Sequence, residues 1–176
     1  MNAVSLTLEG VVLLQPKVFR DERGFFRETY RAALYQERGI LDAFVQDNHS
    51  YSTQGTLRGM HFQRIPGQAK LITVVSGCIY DVVVDIRRES PTFGKWEGVY
   101  LNHETAEQLY IPVGFAHGFC VLSEEAHVMY KVSAYYDSEE ERSFRFDDPT
   151  VGIVWPVQTP LLSVRDLKAP LFSEVV

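Results

Sequence analysis

The feature that most constrains the fold of this chain is a succession of short, strand-like runs from Phe44 to the tyrosines around residue 136. Within these runs apolar and polar residues alternate, and glycine, proline or charged residues separate one run from the next. Two of them, KLITVVSG and CIYDVVVDIRR, meet at Ser76-Gly77, which is a short hairpin signal. Many short strands at this spacing predict an all-β sandwich or barrel.

The segments on either side of the strand-rich region predict peripheral structure. Residues 4–30 have the pattern of an extended arm with an Asp-Glu-Arg-Gly turn at residues 21–24. Residues 31–38, RAALYQER, are good helix formers and end at a glycine, so we expect one short helix there. The proline-rich tail that begins at residue 147 should cross the surface or the barrel mouth. No linker or repeat divides the chain, and we expect residues 1–176 to form one domain.

Composition and charge exclude several classes of partner. The chain has 17 lysine and arginine residues against 23 acidic ones, so its net charge of -6 argues against a nucleic-acid-binding or anionic-membrane surface. The N-terminus lacks the pattern of a signal peptide, and no run approaches the roughly 20 apolar residues of a membrane helix. We therefore expect a soluble, cytoplasmic protein.

The segment TLRGMHFQ, residues 56–63, concentrates groups that can carry chemistry. His61 alternates with apolar neighbours and could be a general base or a structural histidine. Arg58 lies in an apolar strand, where an unpaired charge is costly. Regular alternation puts Arg58 and His61 on opposite faces, so both can enter one pocket only if the strand bulges, for which Gly59 is the natural place.

A second segment, IPVGFAHGF at residues 111–119, contains His117. Together with the first segment it resembles the two signature regions of the cupin superfamily, small β-barrels that often hold a metal. Here the matching positions are His61, Gln63, Lys70 and His117. A divalent metal prefers several imidazoles and carboxylates, and an ammonium would repel it, so we expect no metal. The same cavity suits acid–base chemistry on an anion.

The run HVMYKVSAYY contains Tyr130 and Tyr136, which share one face if the strand is regular. They would then border a space of roughly 20 Å, long enough for a ligand with two ends. The alternative role for Tyr130 is a core aromatic with a hydrogen-bonded hydroxyl.

Taken together, these segments resemble the dTDP-4-dehydrorhamnose 3,5-epimerase family nearly from end to end. The resemblance implies a cupin-like double-stranded β-helix (jelly-roll) barrel with an N-terminal extended arm and a few short peripheral helices. The segments that carry it include PKVFRDERGFFRETY, FVQDNHSYS, GTLRGMHFQ, IPVGFAHGFCVLSE, YKVSAYY and GIVWP.

The resemblance also implies a role for each matching residue. His61 would be the base, Asp166 its partner, Tyr130 the acid, and Lys70 the group that stabilises an enolate. Asp81 is the other carboxylate that could pair with His61. The positions that would contact substrate are Phe19, Arg23, Glu28, Gln46, Asn48, Arg58, His117, Tyr136, Glu141 and Arg165, where Arg165 stands in place of a lysine.

The activity that the resemblance implies is epimerisation at carbons 3 and 5 of dTDP-4-dehydro-6-deoxy-D-glucose to dTDP-4-dehydro-L-rhamnose, in dTDP-L-rhamnose biosynthesis. It needs no cofactor, and the protein would be a homodimer whose arm reaches the neighbour's site. Three alternatives stay open: a 3-epimerase of another deoxysugar pathway, a metal-dependent cupin oxygenase, and a non-catalytic nucleotide-sugar binding module.

Overall fold

Two antiparallel β-sheets face each other in the computed structural model, which describes residues 1–176. The strands are β1 (Asn2–Ser5), β2 (Val12–Gln15), β3 (Val18–Asp21), β4 (Gly24–Arg27), β5 (Gln46–Thr53), β6 (Leu57–Gln63), β7 (Lys70–Ser76), β8 (Cys78–Asp85), β9 (Trp96–Asn102), β10 (Gln108–Ile111), β11 (Phe115–Val121), β12 (Glu125–Val132) and β13 (Glu141–Ser143). The helices are α1 (Ala32–Gln36), α2 (Val164–Leu167) and α3 (Phe172–Val175). None of them is long and apolar enough to cross a membrane.

The six-stranded sheet has the order β1-β2-β10-β7-β12-β5, and the five-stranded sheet has the order β13-β6-β11-β8-β9. The predicted jelly-roll architecture is confirmed. The predicted hairpin at Ser76-Gly77 is wrong, because β7 and β8 lie in different sheets and do not pair. A glycine turn gives the same local signal whether the next strand lies beside the first or in the facing sheet. The two strands lie in facing sheets and bury their apolar residues in one core.

The core lies between the sheets and includes Ile72, Val74, Val83, Phe119 and Val128. These residues come from central strands of both sheets, because alternate side chains of each strand point to the same inner face. One end of the space between the sheets is left open, and that end contains the candidate site.

The outer face of the five-stranded sheet is covered by the C-terminal tail. Val82 and Val84 of β8 contact a second apolar cluster that includes Phe144, Ile153 and Phe172. The predicted alternation of β8 is thereby confirmed, since Val83 lies in the other cluster. The tail is consequently held in place across a broad apolar surface.

The N-terminal arm contributes a separate two-stranded sheet, β3 paired with β4, that pairs with neither large sheet. Its phenylalanines Phe19, Phe25 and Phe26 are exposed, Phe26 by 67%. The helix α1 that follows lies within the predicted residues 31–38 and buries Tyr35 in a third apolar cluster. Residues 4–30 are therefore extended, as expected, but only the β3–β4 hairpin has little apolar contact of its own, since Leu8, Val11 and Leu14 are buried in the apolar clusters.

Candidate active site

A cavity of about 560 Å³ opens between the two sheets. The six-stranded sheet contributes Asn48, Lys70 and Tyr130 to its lining, and the five-stranded sheet contributes Arg58, His61 and His117. The other sequence-predicted residues on its wall are Tyr136, Glu141, Arg165 and Asp166.

A β-bulge brings Arg58 and His61 to the same cavity. His61 pairs with His117 and Arg58 pairs with Phe119, so three steps along β6 match only two along β11. The bulge requires Gly59, whose φ is +137° and at which an added Cβ would lie 2.5 Å from the Cα of Gly118. The predicted bulge at this position is confirmed.

Asp166 is the carboxylate that pairs with His61. The Nε2 of His61 lies 2.6 Å from Oδ1 of Asp166, which is 3% exposed and belongs to α2. Burial alone would raise the pKa of Asp166, but its hydrogen bonds with His61 and Ser163 bring that pKa below its usual value. An ionised carboxylate only accepts hydrogen bonds, so Nε2 carries the proton and Nδ1 is the atom that can act as a base.

Asp81 pairs with the other histidine of the cavity. Both of its carboxylate oxygens lie 2.9 Å from Nε2 of His117, so the alternative of Asp81 as partner of His61 is wrong. Asp81 lies on β8, which is next to β11 with His117, whereas β6 with His61 is one strand further away. The spacing along the chain does not reveal this strand order, so it could not show which histidine Asp81 meets. Burial lowers the pKa of His117, although the charge of Asp81 opposes that shift.

Lys70 and Tyr130 present free polar groups to the cavity. Lys70 is 9% exposed and forms no ion pair or hydrogen bond through its ammonium, and burial lowers its pKa to about 8 against the charges of Glu141 and Asp81. Burial is also the largest influence on Tyr130 and raises its pKa, so the phenol stays protonated at neutral pH. Neither polar group is enclosed within the protein, and both are therefore available to a ligand.

Cationic and aromatic groups surround the mouth of the cavity. Arg58 donates hydrogen bonds to Oγ of Ser52 at 3.0 Å and to the carbonyl of Tyr51 at 3.2 Å, and it has no carboxylate partner. The Nη1 of Arg165 lies 2.5 Å from Glu141, which also accepts a hydrogen bond from the exposed Tyr136 at 2.9 Å. A guanidinium without a carboxylate partner is suited to a phosphate.

The positions of Tyr136 and Gln46 differ from those that the sequence predicts. β12 ends at Val132, yet Tyr136 and Tyr130 both line the cavity. Gln46 is not part of the lining, but its amide donates to Oδ1 of Asn48 at 2.8 Å and accepts from the backbone N–H of Tyr136. It therefore supports two lining residues.

Three of the expected residues are not brought to this cavity within one chain. Phe19 and Glu28 line a separate surface pocket beside the arm, and Arg23 forms an ion pair with Asp21 at 2.6 Å. All three belong to the N-terminal arm.

The lining also contains residues that sequence reasoning missed. Leu161, Leu162 and Ser163 close one side, where Leu161 forms a parallel bridge with Thr56. The predicted crossing of the barrel mouth by the tail is confirmed. One local signal was present, since Ser163-Val-Arg-Asp166 has the spacing of a helix N-cap, and Ser163 does accept from the N–H of Asp166 at 3.0 Å. The others missed are Ser50, Thr56, Leu57, Gln68 and Phe119.

The donor set does not fit the metal that many cupins hold. No three histidine, cysteine, aspartate or glutamate side chains are grouped as metal ligands would be. His61 and His117 are each bonded to a carboxylate through Nε2, and an ammonium borders the same space. We derive no step through a metal.

A jelly roll with its site between the two sheets places the protein in the cupin-like class of barrel enzymes. The sequence model of dTDP-4-dehydrorhamnose 3,5-epimerases matches residues 5–174, and the chain belongs to that family.

Relatives of known activity and structure cover nearly the whole chain. The dTDP-4-dehydrorhamnose 3,5-epimerase of Shigella flexneri is 50% identical over 176 residues, which are 99% of this chain and 97% of that protein. The crystal structure of a dTDP-6-deoxy-D-glucose-3,5-epimerase from Legionella pneumophila, in complex with dTDP-4-keto-L-rhamnose, is 45% identical with a TM-score of 0.96, and the match covers 99% and 94% of the two chains. A dTDP-4-dehydrorhamnose 3-epimerase of Streptomyces niveus is 42% identical, with 99% and 85% covered.

Proposed function

We propose that this protein epimerises carbons 3 and 5 of dTDP-4-dehydro-6-deoxy-D-glucose, giving dTDP-4-dehydro-L-rhamnose. Full-length similarity to 3,5-epimerases supports this activity. The observation that carries it is the arrangement of two opposed groups. His61 with Asp166 lies on one wall of the cavity, and Tyr130 comes from the facing sheet.

The reaction begins with loss of a proton next to the 4-keto group. Carbons 3 and 5 both flank this carbonyl, so removing either proton gives an enolate. In the chair of a D-gluco sugar these two hydrogens are axial on the same face, and one base can therefore reach both. Nδ1 of His61 takes the proton, and Asp166 holds the tautomer and stabilises the imidazolium that forms.

Lys70 and Tyr130 complete the epimerisation. The ammonium of Lys70 stabilises the negative charge that develops on the oxygen of carbon 4, from a position fixed before reaction. Tyr130 is protonated at neutral pH and returns a proton from the face opposite His61. Inversion at each carbon follows, because the proton leaves on one side and arrives on the other.

The nucleotide end of the substrate is assigned to the mouth of the cavity. Arg58 and Arg165 contact the diphosphate, with His117, Glu141 and Asn48 around the sugar, and Tyr136 stacks on thymine. Gln46 holds Asn48 and the backbone at Tyr136 in place. The support is the unpaired charge of Arg58 and the exposed ring of Tyr136 at one opening.

A homodimer would bring Phe19, Arg23 and Glu28 to the site of a second copy. The arm's hairpin pairs with no other strand of its own chain and exposes three phenylalanines. Such a hairpin gains apolar contact and strand partners by lying on another molecule. Light scattering after gel filtration should give twice the mass of the chain.

Mixed dimers test whether the arm acts in the neighbouring site. Arg23→Ala and His61→Ala chains should each be inactive as pure proteins. Coexpressed, they should recover part of the wild-type rate, because one of the two sites in a mixed dimer then has both residues intact. No recovery in dimers shown to be mixed would place the arm in its own chain's site, and activity of pure Arg23→Ala would place the arm outside any site.

Heavy water tests the reaction itself. The protein is incubated with dTDP-4-dehydro-6-deoxy-D-glucose in D₂O, and NMR locates the deuterium. Incorporation at carbons 3 and 5 with formation of the L-rhamno product supports the proposal. Absence of exchange would overturn it and favour a binding module. Stoichiometric iron or manganese required for turnover would favour an oxygenase.

A 3-epimerase is the second candidate, because the Streptomyces niveus relative of that name matches 99% of this chain. It predicts deuterium at carbon 3 alone in the same experiment. The cytoplasmic location and the single-domain organisation expected from the sequence stay predictions, which fractionation and cooperative unfolding would test.

A further inference from the structure

The pair formed by His117 and Asp81 borders the cavity but takes no part in the proton transfers proposed above. Asp81 is fully buried, and its two oxygens are equidistant, at 2.9 Å, from Nε2 of His117. A carboxylate held this way accepts a single N–H in a bifurcated hydrogen bond. Nε2 therefore carries the proton, and in the neutral ring Nδ1 has a lone pair.

The remaining nitrogen of His117 is open to the cavity. Nδ1 forms no hydrogen bond within the chain, and it is not among the enclosed polar atoms that lack partners. His117 also lies directly opposite His61 in the register of β11 and β6. The two imidazoles consequently face the same side of a bound sugar, one as a base and the other as a hydrogen-bond acceptor.

Lys70 is the second group that Asp81 influences. Charged or titratable groups face Lys70 from several strands, and Asp81 on β8 and Glu141 on β13 both favour its protonated form. His117 on β11 and His61 on β6 lie on the same cavity, and His117 is influenced in turn by the lysine's charge. Asp81 is the fully buried carboxylate among these groups, so water screens its charge least.

We propose that Asp81 is a positioning residue that holds His117 in the Nε2-protonated tautomer, so that Nδ1 accepts a hydrogen bond from a sugar hydroxyl, and that its charge stabilises the ammonium form of Lys70. The hydroxyls of the substrate are the donors that such an acceptor recognises, and the inference to that extent rests on the proposed function. A histidine of the opposite tautomer would present an N–H, which could only donate to the hydroxyl oxygen and would reverse the hydrogen bond.

Asp81→Asn is the test variant and Asp85→Asn is its matched control. Both aspartates are fully buried on the same face of β8. Asp85 bonds instead with Arg87, Ser90 and Thr92, away from the cavity. Asp85→Asn should therefore lower the melting temperature without changing the chemistry of the site.

Nitrogen NMR of the imidazoles tests the tautomer without any assay of activity. His117 in the wild-type protein should show a protonated Nε2 and a bare Nδ1 at neutral pH, and Asp85→Asn should keep that pattern. In Asp81→Asn the second tautomer should appear, since an amide NH₂ would occupy one of the two oxygen positions. A protonated Nδ1 on His117 of the wild-type protein would overturn the proposal. This measurement does not depend on whether the Asp81→Asn variant folds.

Kinetics test the consequences. Asp81→Asn should lower kcat/KM roughly 10- to 100-fold, by analogy with the loss typical when a carboxylate that orients a metal-ligating histidine is removed. The alkaline limb of its kcat profile should move to lower pH, because Lys70 loses a stabilising charge, whereas Asp85→Asn should keep the wild-type limb. An unchanged limb and an unchanged tautomer in Asp81→Asn would overturn the proposal. If the wild-type protein exchanges no deuterium, the epimerase function fails, and the NMR result still decides the tautomer.

Discussion

The two histidine–aspartate pairs of the cavity contain the same side chains, but the fold delivers their carboxylates differently. Asp81 comes from the neighbouring strand of the same sheet and is fully buried, and its partner His117 is 7% exposed. Asp166 comes from the tail, 105 residues from His61, and meets a ring whose side chain is 26% exposed. The more exposed ring suits proton transfer, while the more deeply buried ring suits a fixed hydrogen bond to a ligand. The two pairs have the same residue types, so their roles are assigned by the burial of each histidine and its access to ligand and solvent.

The largest expected effect comes from His61→Ala. Deuterium exchange should be lost at both carbons with the fold intact, a loss on the order of 10²–10⁴-fold for a general base. His117→Ala should show a smaller loss in the same assay, with a raised KM. The reverse order would exchange the roles of the two pairs.

Lys70→Met should be the next most damaging change. Losing the preorganised charge beside the carbonyl oxygen typically costs ~10²–10³ in kcat. Methionine keeps most of the buried volume, and circular dichroism checks that the fold survives. Wild-type turnover by this variant would remove the lysine from the mechanism.

Tyr130→Phe should separate proton loss from proton return. The residue lies across the cavity from both histidines, so substrate recovered from D₂O should still gain deuterium while epimerised product forms more slowly. Mass spectrometry of substrate and NMR of product measure the two rates. A fully active Tyr130→Phe would show that another group, or water, is the acid.

The smallest expected effect is a pH dependence. The mechanism needs Lys70 as an ammonium, and its pKa of about 8 means that the charge is present below this pH and lost above it. kcat should therefore fall as pH rises through about 8. In Lys70→Arg, which stays charged, the residual activity should lack that limb. A limb unchanged by this substitution would belong to another group.

Much of the site was predictable because its members lie in strands with recognisable local patterns. The bulge at Gly59 followed from two polar residues that alternation places on opposite faces, and the barrel mouth was a natural place for a proline-rich tail. The resemblance assigned Asp166 to His61, but no sequence pattern linked Asp81 to His117, because that contact depends on how β8 pairs with β11. The hairpin prediction at Ser76-Gly77 failed because a turn signal is local and does not specify a sheet.

The sequence by itself determined the strand-rich class, the family, and the chemical groups of the site, because alternation, turn residues and motif order are properties of nearby residues. Only the tertiary structure paired Asp81 with His117, placed His61 and Tyr130 on opposite walls, and left the arm's residues outside their own cavity. These relations depend on how distant strands pair and face each other. They therefore arise when the two sheets bury a common core.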